Sequence, residues 1–205
     1  MNRIWLILLL FTLFCQRNTP DADELLPVTT IAVQQEAGAY RLLLEGARQS
    51  SLEGSAEAVY LSVSADSADA LFAEAQEVFA EHLTFMHTSL LLVDPALQPH
   101  EIRGLCTALL DKQGAPRTAY LACAANKTPE ELLRHEHPVE EIPGLGLRDL
   151  LRAEELQAET PLPTLADGRA LSSHSPRPLP GLRLTGEDQI LCGGAILPGE
   201  KGGAS

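Results

Sequence analysis

Positive charge is scarce in this chain. Fifteen Lys and Arg stand against 28 Asp and Glu over 205 residues, a net charge of −13. That deficit argues against nucleic acid, whose phosphates must be neutralised by cations. It also argues against a surface that clings unaided to anionic lipid. Long apolar stretches are missing too. The run from Ile4 to Phe14 is shorter than the roughly 20 residues needed to cross a bilayer. Cysteine is sparse, four residues with no C-x-x-C pair. Setting Cys15 aside leaves Cys106, Cys123 and Cys192, an odd number that fits no closed disulfide framework. No G-x-S-x-G nucleophile motif, glycine-rich phosphate loop or internal repeat is present.

What the chain does have begins at its first residues. Arg3 precedes the apolar run Ile4–Phe14, which ends on Cys15, and Gln16, Arg17, Asn18, Asp21, Asp23 and Glu24 follow at once. A charged start, a short apolar stretch and a polar junction form the layout of a secretory signal. The cysteine at the junction marks residues 1–15 as a lipoprotein signal, with Cys15 the lipid-modified first residue of the exported chain. Phe14 stands where such junctions usually carry a small residue.

About 190 residues remain after such processing, enough for one large domain or two small ones. Apolar residues make up 45% and charged residues 21%, ordinary proportions for a chain with a core. Val28–Val33 is a short β-rich run, residues 34–38 read as a turn, and Tyr40–Glu45 is a second apolar run. The pair suggests a hairpin or meander. A polar loop follows over residues 48–54, and Val59–Ser64 alternates apolar and polar residues like a half-buried strand.

Ser67 then opens a helix whose Leu71, Phe72, Ala75, Val78 and Phe79 share one face. The segment Thr84–Val93 ends in the continuous apolar run 89–93, suited to a strand covered on both sides. A second helix starts near Pro99, with Ile102, Leu105, Cys106, Leu109 and Leu110 at helical spacing and Gly114 beyond its end. Thr118–Ala124 is another strand. Thr128, Pro129 and Glu131 form a capped helix start. The order from residue 64 to 133 is therefore β-α-β-α-β-α, which implies a mixed or parallel sheet packed by helices. Leu145–Ala158 is expected to be helical. Residues 160–180, with five prolines, are expected to be loop or irregular. Leu182–Thr185 and Gln189–Leu197 are two β runs flanking Gly186-Glu187-Asp188, a hairpin signal. The Gly-rich tail 198–205 is expected to be disordered. The fold class is α+β (mixed α/β): a central mixed sheet with helices packed on it, plus a C-terminal β-hairpin.

Few residues invite a chemical role. His135-Glu136-His137 suggests metal, but two histidines two apart share a face only on a strand, and only Glu140 and Glu141 lie nearby. Cys192-Gly193-Gly194 has the small neighbours of a nucleophile loop, yet a nucleophile needs a base within hydrogen-bond reach. His82 and His87 flank a helix–strand junction and read as structural. Cys106 and Cys123 lie in apolar periodic segments and read as buried thiols. The expectation is a protein that is not an enzyme, with no metal and no cofactor.

The order of these elements resembles the N-terminal domain of the Ger(x)C family, the C subunits of the nutrient germinant receptors of bacterial spores. Residues 23–33 (DELLPVTTIAV) are similar to that family's first strand after an acidic segment, and residues 87–93 (HTSLLLV) to its strand after the first helix. Residues 118–126 with 128–133 resemble its next strand and helix, and 186–197 its closing hairpin. The resemblance covers residues 16–197. It departs at Gln16-Arg17, where the family commonly carries Trp-Asp, and full members continue into a second, C-terminal domain. It implies a lipoprotein anchored through Cys15 on the outer face of the cytoplasmic (spore inner) membrane. There it would act in germination by contact with the receptor's integral membrane subunits, with palmitate among its lipid modifications. The other role compatible with these residues is a generic solute-binding or envelope-assembly lipoprotein.

Overall fold

The computed structural model describes residues 25–36, 38–49, 56–79, 82–135, 140–172 and 177–199. Eight strands form the sheet: β1 (Leu25–Glu36), β2 (Ala39–Gln49), β3 (Ala56–Ala65), β4 (His82–Thr84), β5 (Leu90–Val93), β6 (Tyr120–Ala124), β7 (Leu179–Leu184) and β8 (Ile190–Ile196). Their order across the sheet is β3-β2-β1-β5-β6-β7-β8, and β4 pairs with the start of β1. β1, β2 and β3 form an antiparallel meander. β1, β5, β6 and β7 run parallel, and β8 returns antiparallel to β7. The sheet is therefore mixed, parallel at its centre and antiparallel at both sides. The helices are α1 (Ala68–Val78), α2 (Pro99–Asp111), α3 (Pro129–Leu133), α4 (Pro143–Ala158) and α5 (Leu165–Gly168).

Side chains alternate across a strand, and that alternation divides the core in two. In β5, Leu91 and Val93 join one cluster while Leu90 and Leu92 join the other, so all four residues are buried. In β6, Leu121 and Cys123 oppose Ala122 and Ala124 in the same way. The first face is covered by α1 through Leu71, Phe72 and Ala75, by α2 through Ile102, Leu105 and Leu109, and by α5 through Leu165. The second face is covered by α3 and α4, through Leu132, Leu133, Leu147 and Leu151. A run of four Leu and Val is what burial on both faces selects.

Helix starts follow local chemistry. The Ser67 hydroxyl accepts from the Ala70 amide at 3.3 Å and caps α1. Thr128 and Glu131 close the capping box of α3: the Glu131 amide donates to the Thr128 hydroxyl at 3.2 Å, and the Thr128 amide to the Glu131 carboxylate at 2.9 Å. Pro99, Pro129 and Pro143 each open a helix, where a missing N–H costs nothing.

The apolar run 89–93 supplies β5 as expected, after a turn over residues 85–89 that follows β4. Two segments differ from expectation. The Pro-rich stretch holds the short helix α5, started by a Thr164–Asp167 capping box with bonds of 2.8 and 3.0 Å. Its far end, Leu179–Pro180, already belongs to β7. Proline is tolerated there because the β7–β8 register slips at Pro180, a bulge where a ladder donor is not required. The tail is held through its first two residues. Pro198 is buried, and the Gly199 amide donates to the Pro95 carbonyl at 2.9 Å.

Candidate functional site

Of the residues singled out by sequence, Cys15 and the whole signal segment lie outside the described residues, as do Glu136, His137 and most of the 48–54 loop. Among the described residues, His135 faces no ligand set. Its Nε2 hydrogen-bonds the Asp188 carbonyl at 3.1 Å and lies 3.9 Å from the Asp188 carboxylate, so it ties α3 to the tip of the β7–β8 hairpin. Among the described residues, no group of three or more His, Cys, Asp or Glu is placed to hold a metal ion.

Cys106 and Cys123 are buried free thiols, as their apolar periodicity suggests, and burial pushes both up to about 12. Cys192 is half-buried on the edge strand β8. Burial, and then the charge of Glu154, push it up to about 11, so near neutral pH it is a thiol rather than a nucleophilic thiolate. His87 is exposed in the turn before β5, and His82 opens β4 opposite Leu25.

The polar centre of the molecule is one that sequence did not single out. Glu45 lies in β2, two residues after Leu43, and so points to the α3–α4 face, where it is fully buried. Opposite it, β1 has a bulge. Val28 pairs with Gly46 and Thr30 with Glu45, leaving Thr29 as the extra residue. The bulge brings two threonines to the carboxylate. The Thr29 hydroxyl donates to Glu45 Oε1 at 2.8 Å. Thr30 Oγ1 is buried with no hydrogen-bond partner among the described residues.

The other carboxylate oxygen accepts from the Gly144 amide in the first turn of α4 at 3.0 Å and from the Tyr60 hydroxyl at 3.4 Å. Tyr60 in turn carries the Arg134 guanidinium over its ring, 4.7 Å from the centroid. A helix N-terminus favours negative charge, so Glu45 holds down the start of a 16-residue helix from a strand 99 residues earlier. Burial raises the pKa of Glu45, and the Gly144 amide and Thr29 hydroxyl oppose that rise. Gly144 has no substitute here, because a Cβ would run into Thr30 Oγ1 and the Glu45 carboxylate. The cluster is a joint between sheet and helix.

The two ends of the sheet differ. The end at which β1, β4, β5, β6 and β7 begin carries exposed Leu25, Met86 and Val78, and the cations Lys112 and Arg117 are exposed on the loop before β6. The other end is acidic, with exposed Glu36, Asp66, Glu187 and Asp188.

The sequence matches the family model of the spore germination protein N-terminal domain over residues 18–174. The chain belongs to this family. The match spans most of the chain and agrees with the resemblance to the Ger(x)C N-terminal domain. It ties this spore germination domain to a role in germination. No curated protein matches the chain, and neither does any solved structure. Within the germination domain, the matched span holds β1 to β6 and the five helices found among the described residues. The hairpin β7–β8 lies C-terminal to it yet completes the same sheet.

Proposed function

We propose that this protein is a membrane-tethered, non-enzymatic subunit of a nutrient germinant receptor that acts in spore germination through protein–protein contacts. The observation that carries this reading is the match to the spore germination domain over residues 18–174. The layout of residues 1–15 supplies the tether, with the lipid on Cys15 fastening the domain to the outer face of the spore inner membrane. No helix among the described residues is long and apolar enough to cross a membrane, so in this reading the lipid does the holding. A tether converts an encounter with integral membrane subunits into a nearly intramolecular one and raises the effective concentration beside them. The rigid two-faced sheet then presents its outer surfaces and edges to those partners.

The test is to replace Cys15 with Ala and fractionate expressing cells alongside the unaltered protein. Mass spectrometry should find lipid on Cys15 of the unaltered protein, which should sediment with membranes, while the C15A protein stays in the soluble fraction. Identical partitioning with no lipid on Cys15 would defeat the tether. Recovery from spores in complex with integral membrane subunits checks the receptor part of the reading. Tight small-molecule binding by the protein alone, without such a complex, would favour a solute-binding lipoprotein instead.

A further inference from the structure

We propose that the end of the sheet carrying Leu25, Val78 and Met86, flanked by Lys112 and Arg117, seats in the headgroup layer of a phospholipid membrane. The proposal rests on the lipid tether at Cys15 and goes beyond it by assigning the face that meets the lipid.

Three large apolar side chains are exposed at this one end: Leu25 at 36%, Val78 at 55% and Met86 at 70%. They come from separate parts of the chain. Leu25 is the first residue of β1, Val78 the last of α1, and Met86 lies in the turn after β4. Contacts beneath them hold the three segments together. Leu25 pairs with His82 of β4, Gln76 of α1 donates to the Leu83 carbonyl, and Phe85 packs edge-on against Phe72 at 5.8 Å. The apolar tips are therefore fixed to a rigid base.

Tether length selects this end. Nine residues separate Cys15 from Leu25, and a chain of that length spans at most about 35 Å. β1 carries the chain away from Leu25 for 12 residues, about 35 to 40 Å, before the turn after Glu36. The anchor thus keeps the Leu25 end closer to lipid than the far end, which lies a further strand length away. Charge favours the same orientation. Lys112 and Arg117 are exposed at this same end, with no ion pair among the described residues, and can meet headgroup phosphates beside the acids Glu77 and Asp111, whereas the far end carries the exposed acids Glu36, Asp66, Glu187 and Asp188. Interfacial seating of this kind buries apolar side chains about 5–10 Å into the headgroup boundary, with cations meeting the phosphates.

The sequence supplies a clean probe. Trp5 is the only tryptophan and lies within the signal, so the processed chain has none. M86W and E187W place a single tryptophan at exposed positions at the lipid-facing and far ends. Each lipidated full-length protein is mixed with phosphatidylcholine–phosphatidylglycerol vesicles whose acyl chains are plain or brominated. Co-flotation with vesicles reports the anchor, and bromine quenching reports the face. Tryptophan at position 86 should lose roughly half its emission in brominated vesicles and shift to the blue, and tryptophan at 187 should lose none. Co-flotation with equal quenching at both positions, or with quenching at neither, overturns the assigned face while leaving the anchor intact. Failure of the unaltered protein to float overturns the anchor, and the face with it.

Discussion

Glu45 is a fully buried acid, held between a bulged strand and the first turn of a helix. Its energetics follow from what each oxygen touches. Removal of its acceptors would strand the Gly144 amide and the Thr29 hydroxyl in a buried site, a cost of about 1–3 kcal/mol for a buried group left unpaired. Its burial-raised pKa adds a pH dependence of definite sign. The folded protein holds this proton more tightly than the unfolded chain does, where the reference value is 4.5. Its stabilising contribution is therefore complete below pH 4.5 and is lost as pH rises through the higher folded value.

Glu45→Gln keeps the shape and removes the titration. Relative to the unaltered protein, the variant is expected to gain stability as pH rises above the unfolded reference of 4.5, read as diverging urea midpoints. A constant difference across that rise would refute the assignment.

At the scale of elements, strand and helix identity follows from local pattern. Leu90–Val93 is a doubly buried strand because it is apolar on both faces, and the helix at Pro129 is capped by Thr128 and Glu131 as their spacing requires. Thr128→Ala removes the hydroxyl that accepts from Glu131 and should lower the unfolding free energy by about 1 kcal/mol in urea titrations. An unchanged midpoint would show that tertiary contacts alone hold α3.

Sequence pattern fails where a feature depends on distant partners. β4 is three residues long and exists because Leu25–Pro27 offers it an edge. The short helix α5 sits in a Pro-rich stretch and is fixed by Leu165 in the core, its amide donating to the Ala119 carbonyl. Glu45 reads as the polar end of an apolar run until Gly144 arrives 99 residues later. Its one local hint was a lone acid following Leu42-Leu43-Leu44, a pattern that solvated strand ends also produce.

For the whole molecule, the decisive fact is that one sheet separates two cores, so neither core survives loss of the strands they share. Leu91→Ala and Leu92→Ala remove neighbouring side chains from opposite faces. Each should cost about 2–5 kcal/mol and shift the same single transition. Two separable transitions by circular dichroism and fluorescence of a bound dye would show instead that the faces unfold independently. The final hairpin matters at this scale for another reason. β7 and β8 follow the other six strands in the chain, so without them β6 has an unpaired edge and the second core lacks Leu182 and Ile190. A chain cut after α5 would leave β6 as an open sheet edge, ready to pair with a strand of another molecule.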